Sequence, residues 1–133
     1  MENVSLEIAQ KDISSWLDSK RVSEKKRKDN ERVVDTLVSA VMEGNLVWDE
    51  EQKLLKQRLQ WPVGENEELK HIDFKQRITQ GDISARLRNA KSDDAFAVMG
   101  VYISAITGQP IAILDKLDSS DYSIAQSVAV FFM

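Results

Sequence analysis

Apolar side chains crowd into one end of this chain: residues 92–133 hold 24 apolar residues among 42, with only six charges. A fold must remove that surface from water. The crowding predicts a core built mainly from the C-terminal third, with the N-terminal third as a charged, surface-rich element. The opposite extreme lies at residues 20–32, where Lys20, Arg21, Lys25, Lys26, Arg27, Lys28 and Arg32 face Glu24, Asp29 and Glu31, a local charge of +4. The whole chain, 133 residues long, carries −4. That length fits one domain, or one domain with an arm. No internal repeat or low-complexity tract is present.

The uncharged run from Ala95 to Leu114 raises the question of a membrane. Gly108-Gln109-Pro110 breaks it, and what precedes the break is shorter than the roughly 20 residues a spanning helix needs. A fully buried core helix is the reading, with no membrane contact. The chain contains no cysteine, and its opening residues lack the apolar core of a secretory signal. A reducing, cytoplasmic setting is therefore expected.

Periodicity places the elements. Leu6, Ala9, Ile13, Trp16 and Leu17 form one stripe at helical spacing, and Val33, Val34, Leu37, Val38 and Val41 a second, closed by Gly44-Asn45. The basic stretch between them reads as a solvated connecting helix or a flexible arm. The middle alternates with a period of two: Leu55, Leu59 and Trp61 on one arm, Ile72, Phe74 and Ile78 on the other, with a polar loop over 62–68. A helix over 50–59 competes for the first arm. Thr79 is expected to cap a helix carrying Ile83 and Leu87, with Arg86 and Arg88 in its last turn. Ser92 is expected to cap the apolar helix, with Asp93 and Asp94 in its first turn and Gly108 at its end. Pro110 opens a short turn through Ile111, Leu114 and Leu117, and Ser120 or Asp121 caps a final helix.

The resulting architecture is α+β and mostly helical. It has an N-terminal helical arm over 1–44, with its basic connecting stretch, and a domain over 45–133 in which a small antiparallel hairpin packs against the C-terminal helices.

The usual components of catalysis are scarce. His71 is the single histidine, and it stands beside Asp73 with no G-x-S-x-G elsewhere. Asp49-Glu50-Glu51 could imitate an acid-base pair, but adjacent acids after a Gly-Asn turn more often open the next element. Asp115, Asp118 and Asp121, three residues apart, read as helix-boundary caps and not as a calcium loop. The five glycines form no phosphate cradle. No enzyme, metal or cofactor is expected. The basic stretch has no aromatic side chain to stack on bases, which disfavours a nucleic-acid contact through 20–32, the alternative function. Trp16, Trp48 and Trp61, all in the more polar part of the chain, are either binding hot spots or the cover of the core.

The order of motifs resembles one family. Met42-Glu43-Gly44-Asn45-Leu46-Val47-Trp48-Asp49 is followed by Leu59-Gln60-Trp61-Pro62, then by residues 74–83, Phe-Lys-Gln-Arg-Ile-Thr-Gln-Gly-Asp-Ile. Next come Ile106-Thr107-Gly108-Gln109-Pro110 and residues 114–122, Leu-Asp-Lys-Leu-Asp-Ser-Ser-Asp-Tyr. Over roughly residues 42–133 this is similar to the tail assembly chaperones of long-tailed bacteriophages, although Ile78 stands where the family has proline and the first forty residues have no counterpart. The resemblance implies a non-enzymatic protein of the bacterial host cytoplasm. Such a protein coats the tape measure protein, or another tail protein, during tail building and is absent from the finished particle. Self-association is compatible with that role. The hairpin side chains Leu59, Trp61, Ile72, Phe74 and Ile78 are the expected partner surface.

Overall fold

Ser5 opens the first helix, its hydroxyl accepting the Ile8 N–H at 3.3 Å. The structure, a computed structural model, describes residues 3–89 and 94–133. Helix α1 (Leu6–Ser19) buries Ala9, Ile13, Trp16 and Leu17 of the stripe its spacing predicts, while Leu6 at its start is exposed. Arg21 then takes a left-handed conformation, φ 57°, and turns the chain into α2 (Glu24–Asp29). The basic stretch is thus a connecting helix, and it buries no residue. Helix α3 (Glu31–Met42) buries Leu37, Val38, Ala40 and Val41 and ends where Gly44, at φ 80°, accepts the left-handed turn.

Three strands follow in the antiparallel order β1-β2-β3: β1 (Leu46–Asp49), β2 (Leu54–Val63) and β3 (Leu69–Phe74). Leu55 faces both Trp48 and Phe74, and Gln57 faces both Leu46 and Ile72, so one face of the sheet is apolar and turned inward. The competing helix over 50–59 does not form, because β2 is central and pairs along both edges. The hairpin expected from alternation is therefore a three-stranded sheet, and β1 is the strand that the sequence reading lacked.

Helix α4 (Gln80–Arg88) begins with a capping box: Asp82 N–H donates to the Thr79 hydroxyl, and Thr79 N–H to the Asp82 carboxylate. Helix α5 (Ala95–Thr107) is capped by Asp94, which accepts the Ala97 N–H. Asp94 is thus the cap and not a first-turn residue, while the expected cap Ser92 and its neighbour Asp93 lie outside the described residues. Gly108, φ 75°, closes α5, and Pro110 caps the short α6 (Ile111–Leu114). The final helix α7 (Ser119–Ala129) is capped by Asp118, not by Ser120 or Asp121, and runs into a 3-10 turn at Val130–Phe132.

Two expectations are corrected by the packing. The main buried cluster, among the described residues, draws eight members from 1–44, seven from the sheet and nine from the C-terminal third. Both amphipathic helices give most of their stripes to the core, with Leu6 exposed and Val33 and Val34 partly buried, so a low overall apolar content did not mean a small share of the interior. The boundary drawn at residue 44 consequently does not separate two cores. Second, α5 is not fully buried: Val101, Ile103, Ser104, Ala105 and Ile106 are covered, but its first turn reaches the surface.

Candidate functional site

The junction of β2 with α7 organises the surface. Alternation turns Leu55, Gln57 and Leu59 inward and would turn Trp61 inward as well. The register instead shifts between Arg58 and Val63, and Trp61 is 63% exposed. The shift is held from outside the sheet: Gln60 N–H donates to one carboxylate oxygen of Asp121 at 3.0 Å, and Trp61 N–H to the other at 3.1 Å. Asp121 is wholly buried, and the buried Gln57 amide donates to its carbonyl at 2.9 Å. A carboxylate at that depth must be hydrogen-bonded. This one joins the strand irregularity to the first turn of the last helix.

The residue after Asp121 continues the surface. Tyr122 stacks on Phe96, ring centroids 6.3 Å apart and planes 29° from parallel, and Phe96 is 70% exposed. Burial, and secondarily the Asp115 carboxylate, raise the Tyr122 hydroxyl above its ordinary range. Beside this pair runs a groove of about 320 Å³ floored by Leu114 and Leu117 and edged by Ser119 and Ser123. Trp61, through its main chain, and Tyr122, as the next residue, thus both adjoin the buried Asp121.

The side chains expected to form a partner surface are not brought together. Leu59, Ile72 and Phe74 are buried in the core, Ile78 lies in the β3–α4 connection and packs against Ile83 and Val101, and only Trp61 stands free. Of the other tryptophans, Trp16 is buried against Phe131 and Phe132, and Trp48 is covered and donates to the Glu50 carboxylate. Phe96 and Tyr122 were missed. The available signal was that α5 is apolar on every side, so that a chain this short leaves some of it uncovered.

The polar candidates resolve into structural chemistry. His71 is exposed and faces Arg58 across the strand pair, in a surface depression shared with Glu67 and Lys70. Asp49 accepts the Gln52 N–H, which together with Lys56 lowers its carboxyl. Glu50 is lowered by hydrogen bonds from Lys53 and Trp48. Both acids move downward, whereas an acid-base pair needs values pushed apart. Asp118 is lowered by Ser120, as a cap should be. Among the described residues no group of three or more His, Cys, Asp or Glu is placed to hold a metal ion, and no helix is long and apolar enough to cross a membrane. In the basic stretch Arg27 pairs with Asp18 at 2.7 Å, Lys25 with Asp29 at 2.8 Å, and Lys26 donates to the Met133 carbonyl.

No family model, curated protein or solved structure matches the chain.

Proposed function

We propose that this protein is a non-enzymatic tail assembly chaperone that binds the tape measure protein of a long-tailed bacteriophage in the host cytoplasm during tail building. The order of motifs between Met42 and Tyr122 suggests the family, and the observation that carries the binding reading is the pair of aromatic features adjoining Asp121. Exposed aromatic side chains are the commonest energetic anchors of protein contacts. An apolar helix laid along the groove beside Phe96 and Tyr122 would meet Leu114 and Leu117 below it. The contact surface proposed is accordingly Trp61, Phe96 and Tyr122, not the buried Leu59, Ile72 and Phe74. No cofactor takes part.

The test is co-expression with a tape measure protein encoded in the same genome. The wild-type chain should keep that protein soluble and co-purify with it, and the double variant Trp61→Ala/Phe96→Ala should do neither while remaining folded. A wild-type chain that leaves the tape measure protein insoluble would overturn the proposal. The rival reading, nucleic-acid contact through 20–32, is weakened by the lack of any aromatic side chain in that stretch on which bases could stack. It would be favoured by binding that falls by orders of magnitude over a few-fold rise in salt.

A further inference from the structure

A second feature lies away from the aromatic surface, where the end of α1, the β3–α4 connection and the final 3-10 turn meet. These segments enclose a pocket of about 250 Å³ lined by Lys20, Arg21, Arg77, Ile78, Phe131 and Phe132, with Ser19 at its edge. Three of these side chains are cationic, and among the described residues no Asp or Glu forms an ion pair with any of them. Like charges gathered around a cavity repel one another, and an anion between them would relieve the repulsion.

Lys20 is held in place, and Arg21 and Arg77 are exposed at the rim. Lys20 donates one ammonium proton to the Gln76 carbonyl at 3.0 Å and sits 3.3 Å above the centre of the Phe132 ring. Two of its protons are left for another acceptor. Arg21 occupies its place at φ 57°, a conformation that disfavours a side chain and that glycine would adopt without strain. Backbone strain of this kind collects at functional sites. The opposite wall is apolar and aromatic, built from Ile78, Phe131 and Phe132. The volume is below the 300 Å³ or so typical of sites for drug-sized ligands, and the pocket opens to solvent on one side.

We propose that this pocket is an oxyanion site that takes a small phosphate monoester, its phosphate among Lys20, Arg21 and Arg77 and its organic part against Ile78, Phe131 and Phe132. Two guanidinium groups suit the forked geometry of a phosphate, and a dianion balances three cations better than a single carboxylate does. Burial, with Lys26 and Arg77 nearby, lowers the Lys20 ammonium to about 8, the direction expected of a cation awaiting a counter-charge. The site is independent of the polypeptide-binding reading.

Calorimetric titration of the full chain with phenyl phosphate, inorganic phosphate and benzoate tests the assignment. Phenyl phosphate should bind more tightly than either of the others. Arg77→Ser and Arg21→Gly should each weaken it about tenfold, the loss of one charge-assisted contact. Arg21→Gly keeps the test interpretable, because glycine relieves the left-handed residue and the variant should melt no lower than the wild type. Phenyl phosphate that fails to bind, binds no better than benzoate, or binds both variants as it binds the wild type would overturn the proposal.

Discussion

Asp121 and Lys20 are both charged side chains drawn into the protein, and their surroundings differ in kind. Asp121 is wholly buried, yet each of its carboxylate oxygens accepts a main-chain N–H. Lys20 is only half-buried, yet its ammonium has one carbonyl, one ring and other cations around it. Depth alone therefore does not identify a working group. A charge whose partners are complete holds the fold, and a charge whose partners are missing points to something from outside.

The largest effect should come from removing the segment that contains Lys20 altogether. Residues 1–44 supply eight members of the main buried cluster, including Trp16, so a chain of residues 45–133 should show no cooperative melting by circular dichroism. Cooperative unfolding of that fragment would mean that the two regions are separate domains after all. Asp121→Ala comes next. It leaves the Gln60 and Trp61 N–H groups without their acceptor and should lower unfolding stability by about 3 kcal/mol in urea titrations, with Asp121→Asn losing less because an amide oxygen can still accept one bond. Asp121→Ala with full stability would break the contrast with Lys20.

Thr79→Ala removes half of the capping box of α4 and should cost about 1 kcal/mol by the same measurement. Lys20→Met should behave in the opposite sense from Asp121→Ala. The ammonium binds its proton more weakly in the folded chain, near 8, than at its ordinary value of 10.5, so between those values the unfolded chain holds more protons. The contribution of this group to stability therefore rises with pH from about 8 towards 10.5. Melting curves between pH 7.5 and 9.5, below the raised Tyr122 range, should show that rise in the wild type and a flatter profile in Lys20→Met. Trp61→Ala should change stability by less than about 0.5 kcal/mol while abolishing partner capture.

What could be read from the sequence was whatever short-range chemistry decides. The α1 and α3 stripes, the alternation of β2 and β3, the Thr79 cap and the Gly108 stop each follow from a few neighbouring residues. Strand β1 escaped because four residues after a turn give too little alternation to read, although Leu46 and Trp48 do point inward. Asp121 reads as a cap because an acid at a helix start ordinarily is one, and only the arrival of β2 gives it another task. The same arrival explains Trp61: period-two patterning places it inside, and the register shift places it outside. The crowding of apolar residues towards the end misjudged the core because it counted Phe96, Ile111 and Met133, which are exposed. The Lys20 pocket was legible only as charge, since its walls come from three separated segments.

The grip of Asp121 on Gln60 and Trp61 spans sixty residues of chain. A slip of β2 along β3 by a single position would present the carboxylate with different main-chain groups and throw every inward side chain to the wrong side. The last helix thus works as a pawl on the sheet, admitting one tooth.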